Sequence, residues 1–216
     1  MQTIQRQYTP LDQIIHQLDT ALRTIAGKPI PTERPDPAES IEEAELSAAE
    51  KQLSGNLMRV NHAGEVSAQG LYQGQALTAK LPEVRDAMER AAQEENDHLV
   101  WCENRINALD THKSWLGPFW YFGSFTIGSL AGLAGDKWSL GFVAETERQV
   151  VKHLDEHLQS LPEADKKSRA VLEQMKEDEA HHATVALEAG AAELPEPVKQ
   201  IMGLTSKIMT TLAFRL

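Results

Sequence analysis

The sequence is poor in cysteine and in segments that alternate between polar and apolar residues, and each shortage excludes a class of protein. Its 216 residues include one cysteine, Cys102, which excludes an intrachain disulfide and any cysteine-rich zinc or iron–sulfur site. The lack of disulfides fits a reducing compartment. No stretch shows the sustained alternation that is typical of a β-strand, so we expect an all-α protein.

Positive charge is also scarce. The chain has 21 lysines and arginines against 32 aspartates and glutamates, and its net charge of −11 disfavours nucleic acid as a partner. The first twenty residues contain no apolar run of the length that a secretory signal needs. They also include two acidic residues, Asp12 and Asp19, whereas mitochondrial transit peptides are poor in acidic residues. We therefore expect a protein of the cytoplasm or of the cytoplasmic side of a membrane.

Helix signals cover most of the chain. Residues 10–26 carry apolar side chains at spacings of three and four, which predicts an amphipathic helix. These side chains are Ile14, Leu18, Leu22 and Ile25. Four prolines mark residues 27–40 as a linker. Longer helices are predicted over residues 47–80, 82–109, 138–158, 162 to about 188, and 198–216. We therefore expect a four-helix bundle at 47–216, with additional terminal helices, preceded by an N-terminal helix and linker at 1–46.

A Glu-x-x-His motif occurs in both halves of the chain, and helix geometry places its two side chains on one face. The copies are Glu95 with His98 and Glu179 with His182, 84 residues apart. Each copy follows, after 30 or 32 residues, a candidate glutamate on the preceding helix. These glutamates are Glu65 and Glu147. The chain thus reads as two copies of one helical hairpin.

Four carboxylates and two imidazoles that face inward form the ligand set of di-iron or di-manganese proteins of the ferritin-like bundle class. Two divalent cations would balance the charge of four carboxylates, which would otherwise repel one another in the core. Oxygen-rich ligation favours iron or manganese over zinc. A single Glu-x-x-His is most often a solvated surface pair, but two copies with matched glutamates are much harder to obtain by chance.

The helix register leaves alternatives open. Glu94 and Asp178 each stand four residues before a motif histidine and compete with the motif glutamates, while Glu145 competes with Glu147. The repeat spacing and the longer reach of glutamate favour the first choice. His181 is a neighbour of His182 in sequence, but it points about 100° away on a helix.

Four motifs, in this order, resemble the demethoxyubiquinone hydroxylases of ubiquinone biosynthesis, which are ferritin-like di-iron proteins: RVNHAGE, EENDH, ETERQVVKH and EDEAHHA. The resemblance covers roughly residues 48–216. It implies an iron-dependent monooxygenase that places one oxygen atom of O₂ on the ring of demethoxyubiquinol and releases the other as water. The iron ligands it implies are Glu65, Glu95, His98, Glu147, Glu179 and His182, with Glu95 and Glu179 bridging two iron ions.

The resemblance also has consequences outside the ligand set. The family places a tyrosine after the histidine that corresponds to His153, whereas this chain has Leu154. We expect His62 and His153 either to orient the carboxylate ligands or to be ordinary satisfied histidines. The implied partners are a polyprenyl benzoquinol, O₂, an electron donor and other proteins of ubiquinone biosynthesis.

Residues 114–135 form an uncharged segment of 22 residues. Eight of the twelve aromatic residues of the chain lie in this segment or shortly after it, between Trp115 and Phe142. The length of the segment would suit a transmembrane helix, but Pro118 and five glycines make that interpretation poor. It is either a buried core segment or, as we prefer, an interfacial segment whose aromatic rings lie at the level of the lipid headgroups.

The last predicted helix, residues 198–216, carries Lys199, Lys207 and Arg215 and no acidic residue. In an acidic protein a basic amphipathic end favours an anionic lipid surface. We therefore expect a peripheral protein on the cytoplasmic side of the cell membrane. Two rival functions are a soluble rubrerythrin- or ferritin-like peroxidase or iron-handling protein, and a non-enzymatic quinone- or lipid-binding protein.

Overall fold

The computed structural model describes residues 10–216, without the side chains of Pro10, Leu11, Gln13, Ile14 and His16. Features predicted for residues 1–9 and for the Ile14 side chain therefore lie outside the described residues. Within this range the chain forms seven α-helices and no strand, which confirms the prediction of an all-α protein. They are α1 (Pro10–Ile25), α2 (Ala48–Thr78), α3 (Pro82–Ala108), α4 (Gly117–Ala134), α5 (Asp136–Ser160), α6 (Lys166–Glu188) and α7 (Glu196–Ala213).

The bundle consists of two antiparallel hairpins. Helix α2 packs against α3, α5 packs against α6, and contacts between α3 and α6 join the two pairs. Met58, Trp101, Leu172 and Met175 are almost completely buried between them. The predicted bundle with additional terminal helices is thus confirmed.

The helix ends follow local hydrogen bonding. Ser47 caps α2, because its side chain accepts a hydrogen bond from the Glu50 N–H while the Glu50 carboxylate accepts the Ser47 N–H at 2.9 Å. Three predicted starts are wrong by two to four residues: α5 begins at 136, α6 at 166 and α7 at 196. Helix α6 begins late because the side chain of Asp165 accepts the Ser168 N–H at 3.1 Å and acts as its N-cap. The division after residue 46 stays a prediction.

The uncharged segment forms α4, a helix that the sequence analysis did not assign. Glycines let its backbone touch that of α2, since a Cβ on Gly70 would overlap the carbonyl oxygen of Tyr121 and one on Gly128 that of Leu71. Among the described residues, no helix combines the length and the apolar character needed to cross a membrane.

Helices α1, α4 and α7 and the residues next to them carry exposed apolar side chains, which together we call the apolar face. Trp115, which lies just before α4, and Phe119 on α4 are 76% and 68% exposed, whereas Trp120 and Tyr121 are buried. The interpretation of residues 114–135 as a buried core segment therefore applies to only some of its side chains. The remaining members are Phe122, Leu130 and Leu133, Ile15, Leu18 and Leu22 on α1, and Ile201, Leu204 and Ile208 on α7. Ala21 of α1, Trp120 of α4 and Ala213 of α7 belong to one buried cluster, which also includes residues of α2 and α3.

Candidate metal centre

The six residues that the sequence predicts as ligands are all buried in the middle of the bundle. Helix α2 supplies Glu65, α3 supplies Glu95 and His98, α5 supplies Glu147, and α6 supplies Glu179 and His182. Ligand atoms of four of them lie within 4.8 Å of one another: Glu65, Glu95, His98 and Glu179. The two hairpins therefore bring residues that are more than 80 positions apart into one cluster.

The ring of His98 joins the two hairpins. Its Nδ1 lies 3.0 Å from Oε2 of Glu95 and 3.2 Å from Oε1 of Glu179. Oε2 of Glu65 lies 3.7 Å from the same nitrogen. The other ring nitrogen, Nε2, lies 2.9 Å from Oδ2 of Asp178. One nitrogen thus faces the carboxylate cluster, and the other is held by a carboxylate behind it.

His182 repeats this arrangement from the second hairpin. Its Nδ1 lies 3.1 Å from Oε2 of Glu179 and 3.4 Å from Oε1 of Glu95, and its Nε2 lies 2.6 Å from Oε2 of Glu94. Each hairpin therefore supplies the carboxylate that holds the histidine of the other. Glu94 and Asp178, which compete with the motif glutamates on spacing alone, lie behind the histidines and have the place of the outer partners that orient metal-binding histidines.

Glu147 has a partner that the sequence analysis missed. The hydroxyl of Tyr72 donates a hydrogen bond to Oε1 of Glu147, and both side chains are buried. Tyr72 follows Glu65 by seven residues, which is two helical turns, so the two side chains share a face of α2. The seven-residue spacing from Glu65 is therefore the sequence signal that predicts an inward-facing Tyr72.

The other candidate residues do not join the cluster. The carboxylate of Glu145 accepts a hydrogen bond from Gln149 at 2.8 Å, and Nε2 of His153 lies 3.0 Å from Oγ of Ser206. His62 is buried on α2, and burial lowers the pKa of His62 to about 3. Among residues 10–216, neither histidine forms a hydrogen bond with any of the six predicted ligands.

The carboxyl groups of the cluster differ in their electrostatics. Burial raises the pKa of Glu65 and that of Glu147 well above the usual value, and nearby carboxylates raise both further. Burial also acts to raise the pKa of Glu95, but the charges and hydrogen bonds of His98 and His182 outweigh it and hold that pKa below its usual range. Two of the four carboxyls thus favour a bound proton when no cation is present.

The two imidazoles also favour a bound proton. Burial acts to lower the pKa of His98, but the charge of Glu95 and the hydrogen bond to Asp178 outweigh it and raise the pKa well above its usual value. Burial acts against His182 in the same way, yet hydrogen bonds to Glu179 and Glu95 raise its pKa to about 12. Protons therefore supply, in the metal-free protein, the positive charge that this cluster requires.

These features fit divalent metal ions. The cluster offers mostly carboxylate oxygens, which suits iron or manganese. Oε1 of Glu95 is buried, and its contact with Nδ1 of His182 at 3.4 Å does not have the geometry of a hydrogen bond, which leaves a ligand atom available. Binding of metal would displace the protons on the histidines and carboxyls.

A cavity of about 500 Å³ lies beside the cluster, between α1, the linker that follows it, α2 and α3. None of the six predicted ligands lines this cavity, but Tyr72 does, and its hydroxyl contacts Glu147. Amide side chains continue along its wall, where Gln69 donates from Nε2 to Oδ1 of Asn96 at 3.0 Å. The cavity gives a small organic molecule a place next to the cluster.

Comparison with known proteins agrees with this geometry. The sequence model of the family described as "Ubiquinone biosynthesis protein COQ7" matches residues 52–213. A protein of Nitrosococcus oceani named 3-demethoxyubiquinol 3-hydroxylase is 64% identical over 209 residues, which cover 97% of this chain and 98% of that protein. Proteins of the same name from Stutzerimonas stutzeri and Pseudomonas putida are 57% and 56% identical, and in each case cover 98% of this chain and 99% of the relative. The chain therefore belongs to the COQ7 family of ubiquinone biosynthesis proteins, the family that its four motifs resemble.

Proposed function

We propose that this protein is a di-iron monooxygenase that hydroxylates the ring of demethoxyubiquinol, a 2-polyprenyl-3-methyl-6-methoxy-1,4-benzoquinol, with O₂. The observation that carries the proposal is the pair of interlocked Glu-x-x-His motifs, with both Nδ1 atoms facing the same buried carboxylates. The names of the close relatives support this substrate and do not favour the rival functions. The residues that would hold the two iron ions are Glu65, Glu95, His98, Glu147, Glu179 and His182.

Two iron ions, when bound by these residues, supply the reduction of O₂ and the transfer of one oxygen atom to the ring. The protein prepares the ligands. Asp178 and Glu94 accept from the Nε2–H groups of His98 and His182, which fixes the ring tautomers and leaves each Nδ1 free to bind metal. Burial keeps bulk water away from the ligands, which protects the reaction from side products.

The cavity beside Tyr72 is the proposed place of the substrate ring. Its wall includes Gln69, Gln73 and Asn96, and amide groups of this kind pair with the two ring hydroxyls of a quinol. The Tyr72 hydroxyl holds a proton at the boundary between the cavity and Glu147. Burial raises the pKa of Tyr72 well above its usual value, so this proton stays on the tyrosine.

The apolar face is the proposed membrane contact. A polyprenyl quinol resides in the lipid bilayer, and a protein that receives its ring benefits from lying on that surface. The face has rings and branched aliphatic groups exposed on α1, α4 and α7, the composition of an interfacial protein. A soluble peroxidase or iron store does not need such a surface. We further propose attachment to the cytoplasmic side of the cell membrane, an electron donor, and contacts with other proteins of ubiquinone biosynthesis.

Labelled oxygen tests the proposed reaction. We expect the iron-loaded protein, supplied with a chemical reductant, demethoxyubiquinol and ¹⁸O₂, to give a product with one ¹⁸O atom per ring. The same reaction in H₂¹⁸O with unlabelled O₂ should give none, because the oxygen comes from O₂. Mass spectrometry of the quinone checks both. Failure to label the ring, in protein that carries two reduced irons and binds the quinol, would exclude the hydroxylase.

The membrane proposal predicts that side chains of the apolar face decide vesicle binding. Replacement of Trp115, Phe119, Phe122 and Leu130 by serine should lower binding to anionic vesicles by at least about 100-fold at all salt concentrations, because burial of each such side chain contributes about 1.5–3 kcal/mol. Trp120 is buried and stays unchanged. Sedimentation with vesicles measures the effect. The variant should also lose more turnover with a long-tailed quinol than with a short-tailed one.

A matched control uses exposed apolar residues elsewhere. Serine at Val185 and Leu187 of α6, which are 41% and 42% exposed, should leave vesicle binding unchanged. Equal losses in the two variants would mean that the apolar face has no special role. Lys199 of α7 is paired with Glu193. Lys207 of α7 and Arg215, which follows the end of that helix, are therefore the better sites for testing the salt-dependent part of binding.

A further inference from the structure

The linker between α1 and α2, residues 26–47, is anchored to the metal-binding helix α3. The backbone N–H of Thr32 donates to Oδ1 of Asp97 at 2.7 Å, and the Thr32 hydroxyl donates to Oδ2 at 2.6 Å. Asp97 is completely buried and lies between two predicted ligands in sequence, Glu95 and His98. The linker is therefore fixed within one helical turn of the metal centre, although it lies outside the part of the chain that the family model matches.

Arg34, two residues further along the linker, contacts three side chains around the same site. Its Nη2 donates to Oδ2 of Asp178, and its Nη1 lies 3.9 Å from Oδ2 of Asp97. The guanidinium carbon also lies 5.0 Å from the centroid of the Trp101 ring, a cation–π distance. A planar guanidinium suits such a combination of carboxylate and ring contacts, which an ammonium does not reproduce.

Two of these three contacts lead to the same imidazole. Asp178 holds Nε2 of His98 at 2.9 Å, and the ring of Trp101 lies against the ring of His98 with 5.4 Å between centroids. Arg34 therefore touches both groups that fix the orientation of His98. The contact through Asp178 is a hydrogen bond to the ring nitrogen, and the contact through Trp101 is packing against the ring face.

The opposite histidine has no such support. Nε2 of His182 is held by Glu94, and no lysine or arginine within residues 10–216 forms an ion pair with Glu94. The two halves of the bundle thus differ in what supports the carboxylate behind the histidine. This difference gives an internal control for any test of Arg34.

We propose that Arg34 is a positioning residue of the metal centre, which orients His98 by holding Asp178 and Trp101 in place. The inference rests on the proposed di-iron function and extends it to the N-terminal linker. The same linker lines the cavity beside Tyr72 with Ile30 and Thr32. A molecule in that cavity thus contacts Ile30 and Thr32, and Arg34 follows Thr32 by two residues in the linker. Occupancy of the cavity is therefore coupled, through Arg34, to the orientation of His98.

The test follows the two histidines separately in the full-length iron(II)-loaded protein. Paramagnetic iron shifts the exchangeable ring N–H signals of bound histidines, so NMR should show one signal for His98 and one for His182. The variants Asp178→Asn and Glu94→Gln assign them, because each disturbs the partner of one histidine. In Arg34→Gln, we expect the His98 proton to exchange with solvent at least about tenfold faster and the His182 proton to be unchanged.

Iron affinity is the second readout. Loss of an outer partner of a metal ligand costs about 10–100-fold in affinity, and Arg34 acts one step further out, so Arg34→Gln should weaken one of the two iron sites by about tenfold. Arg34→Lys should fall in between, since it retains the charge without the planar fork. Hydrogen exchange of the Thr32 amide shows whether the linker itself remains anchored to Asp97.

The outcomes separate the two proposals. Two wild-type signals, with only the His98 signal disturbed in Arg34→Gln, support the positioning role. If both signals change equally, or if neither signal nor the iron affinity changes, Arg34 does not position His98, and the di-iron function stands without it. Absence of both signals in iron-treated wild-type protein overturns the proposed metal centre and the positioning role together.

Discussion

The substitution His182→Ala should abolish hydroxylation, with a loss of more than about 100-fold, whereas His181→Ala should retain most of the wild-type rate. His182 is buried with its Nδ1 between Glu179 and Glu95, so its removal takes away a proposed ligand and leaves those two buried carboxylates with His98 as their one histidine partner. Loss of an outer partner alone costs about 10–100-fold, and a ligand should cost more. His181 is exposed on the same helix and points about 100° away.

Iron content and turnover should be measured on the same samples of both variants. His182→Ala should lose part of its iron, while His181→Ala should bind as much iron as the wild type. His181→Ala is a strict control, because both variants replace one histidine by alanine at adjacent positions of the same helix. Similar behaviour of the two variants would show that the proposed ligand face of α6 is wrong.

A second large effect is expected in Gly128→Ala, which should lower the free energy of unfolding by about 3 kcal/mol. The added methyl group would overlap the backbone carbonyl oxygen of Leu71, and a backbone atom cannot move aside without displacing its helix. Overpacking usually costs 1–3 kcal/mol and more where the backbone must shift. For a chain of this length that corresponds to a fall in Tm of about 6–12 °C.

Gly123, on the same helix, provides the control. Nothing lies within 4 Å of a Cβ built at that position, so Gly123→Ala should stabilise the protein by about 0.5–1 kcal/mol, the usual gain when alanine replaces glycine inside a helix. Thermal unfolding of both variants measures the difference. Equal stabilities would mean that α2 and α4 are not in direct backbone contact.

The buried Glu and His residues of the bundle could be predicted from sequence because their pairing depends on local geometry. Residues three apart on a helix share a face, so Glu95 with His98 and Glu179 with His182 were visible as pairs without any knowledge of packing. The inward direction of Glu65 was then favoured by the repeat. These inferences use only spacings within single helices.

The partners that cross between helices could not be predicted in this way. Whether Asp178 contacts His98 depends on the axial position of α6 relative to α3, and spacing within one helix does not determine that position. Helix α4 could not be assigned for a related reason. Pro118 and the glycines disfavour a transmembrane helix, and the sequence does not show that Gly128 and Gly132 allow close approach to α2. The pairing of Lys199 with Glu193 likewise required knowledge of the turn before α7.

The exchange of carboxylates between the hairpins has a consequence for protein synthesis. Asp178 follows His98 by 80 residues, and translation at about 5–20 residues per second separates their appearance by roughly 4–16 s. During that interval the first hairpin has neither the acceptor of its own histidine nor the glutamates of α5 and α6. We therefore expect the two proposed iron ions to enter only after the second hairpin has left the ribosome and docked on the first.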